Sequence, residues 1–357
     1  MEDPADRSDF VFLDAQVYEG NSFNYTNTAF RSLIEQLESK RLHLVTTDIT
    51  VRETMVGIEN NLKHDLAKVR KAVRDARVLR NCDVPDVGTA LAALDVDRIV
   101  AHVQKEFTDF LAKYKAHVID TSTQPAGDVF NKYFAATPPF GTGDKKAEFP
   151  DAFALQALLE WCEQNNEELF VVSGDKPIRD ACKEHTNLFP MESLAQLLDH
   201  VTADKTLAEF IRSEVTKHSE EIGKTAAHDF QDRMYNIDDE NGDVEIEVES
   251  VKVDGEPELL DVSQHQGIVE MRFQVSFLAH LSYDDSDTGT YDHEDKRMVF
   301  MKHVNETQKK TEELVVEIQV GFDGIDPADF SIDKVQLTFP DESYSFSTSK
   351  WDGYPWK

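Results

Sequence analysis

The chain has 357 residues, 40% of them apolar, with 37 basic against 69 acidic side chains and a formal net charge of −32. That length favours two domains over one, and the apolar content suffices for sizeable cores. The charge argues against a protein that coats nucleic acid by bulk electrostatics, which needs clustered lysine and arginine, and is compatible with an acidic metal site, a local basic groove or simply a well-solvated surface.

Cys82, Cys162 and Cys182 are an odd number with no CxxC spacing. A disulfide framework or zinc knuckle is therefore not expected, and free buried thiols in a reducing compartment are. The opening MEDPADRSDF has neither a basic stretch nor an apolar core of the signal-peptide kind. No run approaches the roughly 20 apolar residues that span a bilayer. A soluble, cytoplasmic protein is the expectation.

In chain order, Phe10-Val11-Phe12-Leu13 is a short continuous apolar run ending at Asp14, as in a strand buried on both faces. A helix is predicted from about Thr26 to Ser39, a strand over Leu42 to Val45, and a long helical region opening at Thr47-Asp48 and containing Glu53. Residues 62–80 read as an amphipathic helix. Leu62, Leu66, Val69, Val73 and Ala76 are its apolar stripe, and Lys63, Arg70, Arg74 and Arg77 run beside it. A further helix is predicted from about Asp95 to Tyr114, then a strand over His117 to Asp120. Residues 136–147 read as a loop. Pro150 starts a helix to about Gln164, Leu169 to Ser173 is the next strand, and Pro177 starts another helix. Leu188-Phe189 and a helix from Glu192 to His200 complete this half.

Strands alternating with helices suggest an open parallel sheet covered on both faces, with ligands gathering at the carboxyl ends of its strands. After about residue 205 the pattern changes. One linking helix is predicted near Leu207 to Met234. Strand-like runs follow at Val244–Val253, Ile268–Leu281, Met298–His303, Leu314–Phe322 and Val335–Phe339, separated by acidic turns such as DDENGD. The expected domains are 1–204, α/β; 205–238, a linking helix; and 239–357, an acidic and mostly antiparallel β-domain. The first 200 residues carry 22 basic and 33 acidic side chains, and residues 201–357 carry 15 and 36. The less acidic half also holds the basic helix and is the better candidate for touching nucleic acid.

Four acids, Asp14, Glu53, Asp151 and Asp175, stand at element ends or on a helix beside the expected sheet. Each alone has an ordinary reading: a turn former, a solvated helix residue, a dipole-favouring N-terminal acid and a helix cap. Gathered together they would repel one another. A hard cation such as Mg²⁺ or Mn²⁺, which prefers carboxylate oxygen, relieves that repulsion and can activate water and stabilise a leaving oxygen on a phosphodiester.

The motifs FLDAQVY, TVRE, KKAEFPDAFAL and VVSGDKPIRD, in that order, resemble the acidic motifs of PIN-like nuclease domains, most closely the larger bacterial PIN-like proteins with a C-terminal extension. The resemblance covers about the first 200 residues. It implies a PIN-like open sheet flanked by helices and cleavage of single-stranded RNA with Mg²⁺ or Mn²⁺. Asp14, Glu53, Asp151 and Asp175 would be the metal ligands and catalytic acids. Ser173 would orient Asp175 or a metal-bound water, and Lys146 and Lys176 are accessory candidates toward phosphate, as is Lys145. Asp144, Glu148 and Asp180 are candidate accessory acids. Lys63, Arg70, Arg74 and Arg77 would guide RNA. Roles in toxin–antitoxin pairing or phage defence fit the family in bacteria. DNA as a substrate, a regulatory protein bound by the β-domain and assembly with a second copy are further expectations. Two other readings remain open. One is a degenerate nuclease fold acting as a binding module. The other is a haloacid-dehalogenase-like phosphatase, suggested by SGDKPIRD but lacking the Asp-x-Asp nucleophile, since Asp14-Ala15-Gln16 stands in its place.

Overall fold

The structure is a computed structural model that describes residues 8–75, 95–140, 148–201, 205–233, 235–238, 240, 242–263, 265–292, 297–338 and 345–348. Contacts divide the chain into two compact units, Met1–Val201 and Thr202–Lys357.

In the first unit the elements are β1 (Phe10–Leu13), α1 (Ala15–Gly20), α2 (Thr28–Glu38), β2 (His43–Thr47), α3 (Asp48–Asp75), α4 (Val96–Lys113), β3 (His117–Ile119), α5 (Ala126–Ala135), α6 (Phe149–Asn165), β4 (Leu169–Val172), α7 (Lys176–Cys182), β5 (Leu188–Met191) and α8 (Leu194–Val201). The five strands form one parallel sheet in the order β3-β2-β1-β4-β5. The inner strands are buried along almost their whole length, as continuous apolar runs covered by helices on both faces must be. Phe12, Val45, Leu155, Leu158, Val171 and Ile178 pack into a common core between the sheet and its helices. The chain leaves β1 toward β2 and β3, then returns to add β4 on β1's other side. β1 and β4 are therefore the pair where the winding reverses, and a crevice opens beyond their carboxyl ends.

Several expectations need correction. The Thr26–Ser39 helix is α2, capped by the Asn27 side chain accepting from the Phe30 amide at 2.9 Å. A separate short helix, α1, precedes it. The 62–80 amphipathic helix is no independent element, because its residues through Asp75 continue α3. Its stripe is also poorly covered: Leu66 is buried, whereas Val69 is 40% exposed. The third strand ends one residue early, because Asp120 turns the chain by accepting the Ser122 amide at 2.9 Å. Helix α5 was not anticipated at all.

In the second unit, α9 (Lys205–Lys217) and α10 (Ser219–Gln231) are followed by β6 (Asn236–Ile237), β7 (Gly242–Val262), β8 (Gln266–Asp285), β9 (Thr290–Asp292), β10 (Arg297–Val299), β11 (Lys302–Gly321), β12 (Ser331–Thr338) and β13 (Ser345–Phe346). The single linking helix is thus two helices. They belong to the second unit, where Ile211, Val215, Ile222 and Phe230 share one core with Phe273, Phe277, Val316 and Ile318 of the sheet. That sheet is antiparallel in the order β12-β11-β8-β7. Strict alternation along β8 sends Val269, Met271, Phe273, Val275 and Phe277 into the core, the period-two pattern of a sheet with one covered face. Gly223 lets α10 approach closely: a Cβ there would meet the Phe273 ring at 3.0 Å. Among the described residues no helix is long and apolar enough to cross a membrane.

Candidate active site

The site is built from the carboxyl ends of β1 and β4 and from two helices facing them. Asp14 immediately follows β1, and its backbone N–H continues the parallel ladder by donating to Val172 O at 3.0 Å. Ser173 follows β4 in the same way, its amide donating to Met191 O at 3.0 Å. The two side chains therefore meet: the fully buried Ser173 hydroxyl donates to Asp14 Oδ2 at 2.6 Å and accepts the Asp175 amide at 3.1 Å. Arg179, one turn into α7, donates from Nη1 to Ser173 O at 2.8 Å.

Asp14 and Asp175 occupy the N-cap positions of α1 and α7, yet neither side chain makes a capping hydrogen bond. The amides of Ala15 and Gln16 act on the Asp14 carboxylate without closing one. The ordinary cap reading of Asp175 is thus not realised by its side chain. Asp151 lies in the first turn of α6, whose Glu148 N-cap makes no side-chain cap bond either.

Glu53 is delivered by α3. Thr47 ends β2 and caps this helix, its hydroxyl accepting the Thr50 amide at 3.1 Å. Asp48 Oδ1 ties the helix start to Thr121, accepting its hydroxyl at 2.6 Å and its amide at 3.0 Å. Burial acts to raise the Asp48 pKa, but these two bonds and Arg52 outweigh it, so its carboxyl stays low. Asp48 is therefore a structural anchor. Glu53, by contrast, joins Asp14, Asp151 and Thr50 around a cavity of about 10 Å³ floored by Phe12 and Leu155, room for roughly one water.

All four acids are pushed upward in pKa, burial being the first cause in each. Asp14 is raised by burial and by Asp175, against the Ser173 bond. Glu53 is raised by burial and then by Asp14. Asp151 feels burial, then Asp14, Glu53, Asp175 and Glu148, and is pushed to about 7. Asp175 is raised by burial and by Glu148, with Arg179 opposing. Acids from four separate segments therefore share one electrostatic environment, which Glu148 joins. Among the described residues, no lysine or arginine forms a salt bridge with Asp14, Glu53 or Asp151. Nor do three His, Cys, Asp or Glu side chains among them form a group that holds a metal ion as they stand.

The remaining candidates fare differently. Lys63 is paired with Glu59 one turn earlier on α3. Arg70 and Arg74 fall on α3, but their side chains lie outside the described residues, as do Arg77, Asp144, Lys145 and Lys146 entirely. Lys176 opens α7, and its charge, with those of Lys183 and Arg179, helps hold Asp180 below the usual carboxylate range, after the hydrogen bond from Lys183. Asp180 pairs with Lys183 at 2.8 Å, so it is a surface charge. Cys162 and Cys182 are buried free thiols, each pushed by burial to about 12 and therefore inert. Cys82 lies outside the described residues. Sequence reasoning missed Thr50 and Arg179. Thr50 stands one turn before Glu53 on the same helical face, a signal the TVRE motif already contained.

Residues 11–177, a stretch that contains all four acids, match the PIN domain family. No curated protein and no solved structure matches the chain. By this match, and by the parallel sheet and flanking helices around it, the first unit is similar to PIN-like nuclease domains.

Proposed function

We propose that this protein is a metal-dependent endoribonuclease that cleaves phosphodiester bonds of single-stranded RNA. The observation that carries the reading is the convergence of Asp14, Glu53, Asp151 and Asp175 at the carboxyl ends of β1 and β4, where Asp14, Glu53 and Asp175 all raise the proton affinity of Asp151, Asp14 raises that of Glu53 and Asp175 that of Asp14. An all-oxygen, mutually repelling donor set suits a hard divalent cation. These four residues would hold Mg²⁺ or Mn²⁺. When bound, such an ion supplies electrophilic activation of the phosphodiester and of water. The chain's own groups do the positioning. Ser173 fixes Asp14 by donating to one carboxylate oxygen and ties Asp175 to it through that residue's amide. Arg179 pins the same turn from behind. The apolar floor of Phe12, Leu155 and Val171 keeps bulk water from the inner side of the carboxylates. The second unit would regulate cleavage or recognise a partner.

The test is to incubate labelled single-stranded RNA and DNA with the protein in Mg²⁺, Mn²⁺ or EDTA, beside Asp14→Asn and Asp175→Asn. Internal cutting of RNA that needs the metal and is lost in both variants is the expected result. Cutting indifferent to EDTA or to both substitutions refutes the proposal. Binding without cutting by the wild type assigns the fold to a binding module instead. For the second unit, a truncation belongs after Val201, because a cut near residue 240 would strip α9 and α10 of the sheet that buries them.

A further inference from the structure

Helix α5 carries an aromatic cluster that the carboxylate chemistry does not use. Phe134 is 78% exposed, the most of any large apolar side chain among the described residues of the first unit, and Phe130 is 45% exposed. They stand one turn apart, as helical neighbours should, with ring centroids 6.4 Å apart and planes inclined by only 28°. They are not loose ends. Tyr133 braces Phe134 edge-on at 5.2 Å. Phe149 packs on Phe130 at 5.4 Å and on Tyr133 at 5.0 Å, and Phe140 closes the base of the cluster against Tyr133 and Phe149. Beneath lies a small core of Val129, Phe140 and Ala152. Phe149 is the first residue of α6, two residues before Asp151. The cluster is therefore fastened to the turn that delivers one of the four acids.

We infer that Phe130 and Phe134 form a stacking platform for unpaired bases of the nucleic acid whose backbone meets the four carboxylates. The inference rests on the nuclease reading and deepens it by assigning how substrate is held. Two near-parallel exposed rings on a rigid helix have the geometry of a base-stacking surface, and each base offers a π-face whatever its identity. The charge balance points the same way. A chain of net charge −32 gains little from bulk attraction to phosphate, and Lys63 on α3 is already paired with Glu59. Stacking, which does not depend on counterion release, adds a hold on a polyanion beside four acids. A platform of this kind selects single strands, because bases in a duplex have no free face.

Steady-state cleavage by Phe130→Ala, Phe134→Ala and Phe134→Trp in Mn²⁺ tests this on the full-length protein, with substrates that are single-stranded, duplex or abasic at several positions. Each alanine variant is expected to raise KM for the single strand roughly 5- to 100-fold while kcat stays within about twofold. The tryptophan variant keeps the wild-type KM. Abasic substrate raises the wild-type KM and adds nothing further in Phe134→Ala. The effect persists at high salt, where a phosphate contact would fade. Active wild type with unchanged KM in both alanine variants overturns the platform and leaves the nuclease reading standing. A wild type that neither binds nor cuts any oligonucleotide overturns both. If Phe134→Ala alters sedimentation of the protein while KM is unmoved, the face joins protein copies and the inference falls.

Discussion

Two half-buried carboxyls, Asp151 in the first unit and Glu270 in the second, are both pushed to about 7, loss of solvent being the leading cause in each. Their neighbours differ. Glu270 lies in register with Glu258 on β7 and Glu317 on β11, a row of three acids across adjacent strands. Arg272, two residues along the same face of β8, reaches Glu258 at 3.5 Å and Glu270 at 3.6 Å. The row therefore carries its own cation. Asp151 is raised further by Asp14, Glu53, Asp175 and Glu148, while Arg179 acts on Asp175. Equal proton affinity thus has two settings: a row of acids with its own arginine in one unit, and in the other a cluster of acids that raise one another's proton affinity.

The sharpest way to break this comparison is to remove an acid from the first unit. Asp14→Asn is expected to lower kcat on single-stranded RNA about a thousandfold, the scale on which loss of a preorganised electrostatic partner acts, as read by single-turnover cleavage. Stability should move the other way. Asp151 titrates near 3.8 when unfolded and about 7 when folded. The folded state therefore binds the proton more tightly, and stability falls as pH rises between those values. Asp151→Asn removes that cost. In EDTA it should be more stable than wild type by up to about 4 kcal/mol above pH 7, with the gain gone by pH 4, as measured by urea unfolding at both pH values. Millimolar Mg²⁺ should raise the wild-type midpoint and leave Asp14→Asn nearly unmoved. An Asp151→Asn variant that is less stable than wild type at pH 8 would show the acids not to be in conflict.

How far the sequence foretells this depends on how many physical constraints act on each segment. β1 and β4 are apolar runs because both faces are covered, so their ends, and with them Asp14 and Asp175, could be located without coordinates. Glu53 was legible through its position beyond the β2–α3 junction. Helix α5 was not, because it follows Pro125 closely and exposes two phenylalanines, which weakens its amphipathic signature. The first half of β11 was missed for a related reason. Its inward positions are Glu306, Gln308, Lys310 and Glu312, half-buried rather than apolar. Their long side chains do the covering instead: Lys310 lies over the Phe346 ring at 4.7 Å and Gln308 donates to Ser347 O at 2.7 Å. The split of the supposed linking helix turns on His218, whose backbone leaves the helical region between α9 and α10, a geometry no strong breaker announces. The joint electrostatics of the four acids could not be read locally, since each has an ordinary use in isolation.

A smaller effect is expected at Ser173. Its hydroxyl is a positioning group, held between Asp14 and the Asp175 amide. Ser173→Ala should lower metal affinity or activity roughly 10- to 100-fold, as outer partners of metal ligands do. Saturating Mn²⁺ should restore most of the activity, which it cannot do for Asp14→Asn. Failure of metal to rescue Ser173→Ala, with the fold intact by circular dichroism, would show that the serine does more than orient its neighbours.

The smallest effect should be at Glu270, and it tests the other arm of the comparison. The folded pKa is raised to about 7 from 4.5, so ionised Glu270 also costs stability as pH rises through that window. Glu270→Gln removes the repulsion from Glu258 and Glu317, but it also removes a partner of Arg272. The two changes oppose each other, and because the side chain is 19% exposed neither acts at full strength. The net change at pH 8 should be about 1 kcal/mol or less, fading as pH falls below the unfolded value of 4.5, and the Mg²⁺ response of the first unit should be kept in full. A gain as large as that of Asp151→Asn would mean that Arg272 does not compensate the row, and the distinction between the two carboxyls would fail.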